Sequence, residues 1–122
     1  IILMEYCVLV AELKSPSVEG LSRIQNNFNS YQTAAFPKRL PQFFALEVCG
    51  ECGELANIEK KIWRDATKEK DLSPQLYAEV ADVFIALMNY ANSRGIPLEE
   101  EVAKKLIEIE KRRVAGKMGQ VS

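Results

Sequence analysis

The 122 residues suffice for one modest domain, and 48% apolar with 27% charged side chains is the balance of an ordinary soluble globule. A net charge of −1 gives no electrostatic basis for binding nucleic acid or a membrane surface. There is no histidine, which excludes the commonest general base, the usual zinc ligand and any Ser-His or Cys-His pair; three cysteines, an odd number, argue against a disulfide framework and suit a reducing cytoplasm. Chemistry on this chain falls to carboxylates, lysines and metal.

Residues 1–13 are apolar apart from Glu5 and Glu12. They carry no basic leader and no cleavage pattern, and they are too short to span a bilayer. A short helix is expected, within an N-terminal extension (1–16) of unassigned role. The main domain is expected over 17–116, followed by a frayed tail, 117–122. Pro16 holds Ser15 extended, and Ser17 is placed to cap the next helix. Leu21, Ile24, Phe28 and Tyr31 recur at helical spacing on a stretch that is otherwise polar (Gln25, Asn26, Asn27, Asn29, Gln32). The stiff loop Phe36-Pro37-Lys38-Arg39-Leu40-Pro41 ends it, and its two cations read as a solvated turn.

A helix over Gln42–Trp63 has an apolar face of Phe44, Val48, Leu55, Ile58 and Ile62. A charged loop from Asp65 to Leu72 comes next. Ser73-Pro74 reads as N-cap and N1 of the following helix, which is apolar nearly all round, as in a buried helix, and stops at Gly95. Pro97 opens a last helix with Glu99, Glu100 and Glu101 in its first turn and Lys111, Arg112 and Arg113 in its last, an order that complements the helix dipole. No stretch reads as a hairpin, and the expected fold is all-α.

Two acid pairs stand out: Glu51 with Glu54, and Glu79 with Asp82. The i,i+3 spacing puts each pair on one helix face, with Cβ atoms roughly 5–6 Å apart. Glu51 falls inside the apolar stripe and Glu54 at its edge. Glu79 shares a face with Val83, Ala86 and Tyr90, and Asp82 lies on the adjoining strip with Asn89. Inward-facing acids are costly unless paired or bound to metal. Two such helices side by side would gather four carboxylates, for which a hard divalent cation is the natural partner. Glu47, one turn before Glu51 on the same face, is an accessory ligand or base.

The run Gly50-Glu51-Cys52-Gly53-Glu54-Leu55, then Asn57 and Lys60-Lys61, then Glu79-Val80-Ala81-Asp82-Val83, resembles the all-α nucleoside triphosphate pyrophosphohydrolases of the MazG-like superfamily. Their signature is an ExxE and an ExxD pair separated by a short variable stretch, here residues 55–78. Gly95-Ile96-Pro97-Leu98 and the Lys105…Arg112 spacing continue the likeness, which covers about Phe43 to Arg113. The resemblance implies a helical bundle completed by dimerisation, sometimes doubled to a tetramer. It also implies hydrolysis of nucleoside triphosphates, often deoxy or non-standard ones, to monophosphate and pyrophosphate, as house-cleaning of the nucleotide pool. By it, Glu51, Glu54, Glu79 and Asp82 hold Mg²⁺, for which Mn²⁺ can substitute. Asn57, Lys61, Lys105 and Arg112 become substrate-facing, and Asn89, on the strip of Asp82, joins them. Glu51 or Glu47 would take the proton from water that a cation has made more acidic. After Lys105, where the family often has Asn or Asp, only Glu108 is polar within the next turn.

Other features have plainer readings. Cys49 and Cys52 are read as small buried residues, and Trp63, Tyr31, Phe36 and Phe43 as core before base-stacking groups. Rival functions are a helical interaction module without catalysis and, within the enzymes, a dUTP or phosphoribosyl-ATP hydrolase. A di-iron bundle needs histidines this chain lacks.

Overall fold

The structure, a computed structural model, describes residues 16–66 and 69–116. The expected N-terminal helix and the tail lie outside the described residues. The fold is all-α: α1 (Leu21–Ala35), α2 (Pro41–Arg64), α3 (Glu69–Arg94) and α4 (Leu98–Val114), with no strand among the described residues. None of these helices is long and apolar enough to cross a membrane. Two compact units are distinguished, Ser22–Pro97 and a second that contains α4.

In the first unit α2 and α3 pack along their length as an antiparallel hairpin, the arrangement a short connection imposes. α2 starts one residue before the expected Gln42, with Pro41, the last residue of the stiff loop in the sequence reading, as its first residue. Leu40 is extended, Pro41 occupies the first helical turn where its missing N–H costs nothing, and Lys61 and Arg64 face the carbonyl end. Its predicted apolar face is the one that turns inward, with Phe44 and Ile58 buried and Val48, Leu55 and Ile62 half-buried.

The start of α3 corrects the expectation. The helix begins at Glu69, a turn before Ser73-Pro74, and Pro74 lies inside it. Ser73 is not an N-cap, because its hydroxyl donates 2.7 Å back to the Glu69 carbonyl. That bond supports the turn where proline supplies no N–H. Ser17 likewise accepts the Glu19 N–H (3.2 Å) ahead of α1 and does not cap the helix itself.

The far end of α3 agrees closely with the sequence. Gly95 adopts φ +64°, its N–H reaches the Asn92 carbonyl (3.2 Å), and the Ile96 N–H reaches that of Ala91 (2.9 Å). This is the left-handed terminator that glycine alone adopts cheaply. The turn is fastened to α1 through Gln25. That side chain is 6% exposed, and its Nε2 donates to the Ile96 carbonyl at 2.8 Å. Asn92 Nδ2 returns a bond to the Gln25 carbonyl at 3.3 Å. So the buried residue of α1 is a glutamine, while Ile24 and Tyr31 from the predicted apolar stripe are exposed.

α3 is also not buried all round. Ala86, Met88 and Ala91 are its buried residues, whereas Tyr77, Val80, Phe84 and Leu87, spaced by three and four, form an exposed apolar stripe. Trp63 is 86% exposed, and Tyr31, Phe36 and Phe43 are exposed as well, so none of the four aromatics is core. Cys49 and Cys52 are exposed too, because each sits one position past a member of the inward stripe.

The second unit contains α4, a helix of surface ion pairs. Lys104 meets Glu101 (3.2 Å), Arg113 meets Glu110 (2.6 Å), and both Lys105 (3.3 Å) and Arg112 bond to Glu108. The contact with Lys105, then the charge of Arg112, holds the Glu108 carboxyl below the usual range.

Candidate metal centre

The hairpin brings the two acid pairs to one place. Running antiparallel, α2 and α3 set Glu51 opposite Glu79 and Asp82, with one carboxylate oxygen from each lying within 4.8 Å of the others. Glu54 stands beside this trio, close enough for its charge to act on Glu79. Glu51 and Glu79 are half-buried, while Glu54 and Asp82 are exposed at the mouth.

The buried half of the cluster is unsatisfied. Glu51 Oε2 and Glu79 Oε2 are each shut off from solvent without a hydrogen-bond partner. An ionised oxygen in that position forfeits its hydration and gains nothing in return. The Glu79 carboxyl is accordingly pushed up to about 7, first by desolvation, then by its contact with Glu51 and the negative charge of Glu54. No lysine or arginine is salt-bridged to any of the four acids among the described residues. The donor set is hard oxygen only, on two packed helices. It fits a divalent cation of the Mg²⁺ or Mn²⁺ type, which would give the two orphaned oxygens a partner.

A small cavity of about 180 Å³ adjoins the acids. Glu47, Glu51, Asp82 and Asn89 line it together with Phe43 and Phe44. Glu47 and Asn89 thus share a wall with two of the four acids. Asn57 and Lys61 are exposed on α2. Lys105 and Arg112 belong to α4, where Glu108, the one polar residue in that turn, takes both.

Compared with protein-family models, with curated proteins and with solved structures, the chain finds no match.

A larger cavity, about 410 Å³, lies among α1, the α1–α2 loop and the C-terminal end of α3. Gln32, Phe44 and Asn89 line both spaces. Gln32, Asn29 and Asn92 carry no motif. The available signal was amides repeated at i,i+3, Asn29 with Gln32 and Asn89 with Asn92.

Proposed function

We propose that the chain is a Mg²⁺-dependent nucleoside triphosphate pyrophosphohydrolase of MazG-like type, cleaving its substrate to the monophosphate and pyrophosphate. One observation carries this reading: carboxylates from two facing helices converge, and two of their buried oxygens have no hydrogen-bond partner, a need that a hard divalent cation would meet. The acid pattern of the sequence supports it independently.

Glu51, Glu54, Glu79 and Asp82 are the residues that would hold the metal. When bound, it supplies neutralisation of the acids, a seat for phosphate oxygens and a more acidic water. Glu51, or Glu47 on the same cavity wall, accepts the proton from the attacking water, a role that elsewhere falls to histidine. Asn89 orients what enters the cavity. Asn57 and Lys61, with Lys105 and Arg112, remain the candidates to meet phosphate charge. The exposed stripe of Tyr77, Val80, Phe84 and Leu87 is the surface a second copy would cover in a homodimer or homotetramer.

The test is product analysis. Incubating the protein with Mg²⁺ and each ribo- and deoxynucleoside triphosphate, then separating products by anion exchange, should yield monophosphate and pyrophosphate from at least one. Diphosphate with orthophosphate, or no turnover of any, contradicts the reading. Sedimentation of the same sample should show a mass above that of the monomer.

A further inference from the structure

The outer side of α2 carries two thiols in the same turn as the acid cluster. Cys49 and Cys52 are both exposed, so neither fills the core. At i,i+3 they share one helix face, with Cβ atoms roughly 5–6 Å apart. Glu51 stands between them in sequence and turns inward, half-buried, with its Oε2 shut off from solvent. One turn of helix therefore holds two accessible sulfurs on its outer side and, on its inner side, the carboxylate that meets Glu79 and Asp82. Gly50 and Gly53 belong to that turn, and a Cβ added at either would meet nothing within 4 Å. Glycine weakens a helix interior, and nothing packed at these two positions resists a tightening of the turn.

A disulfide needs its Cβ atoms about 3.8 Å apart, so joining Cys49 to Cys52 shortens their separation by roughly 1–2 Å. The backbone that must yield is that of Gly50 and Glu51. A hard divalent cation tolerates little of this, since its bonds to oxygen are only about 2.0–2.6 Å long. We propose that Cys49 and Cys52 are a redox-sensitive pair that closes to a disulfide and in doing so withdraws Glu51 from Glu79 and Asp82. The consequence rests on the metal-site reading above; the bond itself does not. The oxidant is a low-molecular-weight disulfide. One cysteine sulfur displaces one half of it to give a mixed disulfide, and the other cysteine sulfur then displaces the second half. In sum one S–S bond breaks and one forms. The two thiol hydrogens pass to the two departing sulfurs, and the small molecule, reduced by the two electrons the pair gives up, leaves as two thiols. A disulfide that bends a helix is the more reducible for it, so excess thiol reverses the step.

Cys7 lies outside the described residues, and Cys7→Ser leaves the pair as the only thiols of the chain. That variant, treated with oxidised glutathione and desalted, should lose two hydrogens by intact mass and carry no glutathione. Its Mn²⁺ affinity, followed by the electron paramagnetic resonance of the free ion, should fall roughly ten-fold or more, and dithiothreitol should restore it. Adding Cys49→Ser and Cys52→Ser together should keep full Mn²⁺ affinity after the same treatment. Stable glutathione adducts in place of the disulfide, or a disulfide that leaves Mn²⁺ affinity unchanged, would overturn the inference while the acid cluster stands, as would a loss of affinity that persists without the two cysteines. If the reduced Cys7→Ser variant takes up no Mn²⁺, the metal reading falls and the switch with it.

Discussion

Glu51→Gln is expected to lower nucleotide hydrolysis by about 10²–10⁴-fold, the range for loss of a general base, and to leave the helical fold intact. The substitution keeps size and shape but removes a charge from the point where α2 meets α3. It also places an amide N–H₂ beside Glu79, whose Oε2 lacks any donor. Without metal the variant should therefore melt no lower than the parent, and with Mg²⁺ it should lose the parent's stabilisation. Asp82→Asn should behave the same way from the exposed side of the cluster. The combination separates a site residue from a structural one, because a residue that merely supported the fold would lower activity and melting temperature together. Circular dichroism with turnover measures it, and wild-type turnover in both variants would remove these acids from the chemistry.

The second large effect is on stability, and its sign is set by Glu79. Its carboxyl is raised from 4.5 to about 7 in the folded chain. Below about pH 4.5 the group is protonated folded or unfolded and favours neither state. Between 4.5 and 7 the folded protein keeps a proton that the unfolded chain has released, so stability falls as pH rises through this window. Above pH 7 the full penalty is present. Metal-free protein should thus melt lower at pH 8 than at pH 5. Mg²⁺ should reverse this at pH 8, contributing about 2.7 kcal/mol at a hundred times its dissociation constant, or several degrees. The gain should shrink at pH 5, where a proton competes for the same oxygen. Glu79→Gln should flatten the metal-free pH dependence and abolish the Mg²⁺ response. Thermal melts at the two pH values measure this, and an unchanged slope in the variant would place the origin elsewhere.

The cluster was legible because acid spacing on a helix is a local property. Glu51 and Glu79 each fell on an inward face, and the register of the antiparallel hairpin brings them together. The glycine stop at Gly95 was legible for the same reason, since it is fixed by one residue's backbone. Burial was harder to read. Val80, Phe84 and Leu87 have the periodicity of core residues, but periodicity reports an apolar face and not what covers it. Gln25 escaped notice because its value lies in long-range bonds to Ile96 and Asn92, invisible in local pattern. Ser73-Pro74 misled because a serine hydroxyl can cap the turn ahead or bond back to the one behind, and here it bonds to Glu69. The larger cavity requires α1, its loop and the end of α3 to meet, and no spacing within any one of them announces that.

The central claim is that these acids meet in order to hold a hard divalent cation. Titrating the protein with Mn²⁺ while following the electron paramagnetic resonance of the free ion tests it without presuming a substrate. The account predicts a signal depleted by stoichiometric binding, restored by competing Mg²⁺, and undepleted with Glu51→Gln or Asp82→Asn. A signal equal to that of buffer alone, or binding that survives both substitutions, would contradict it.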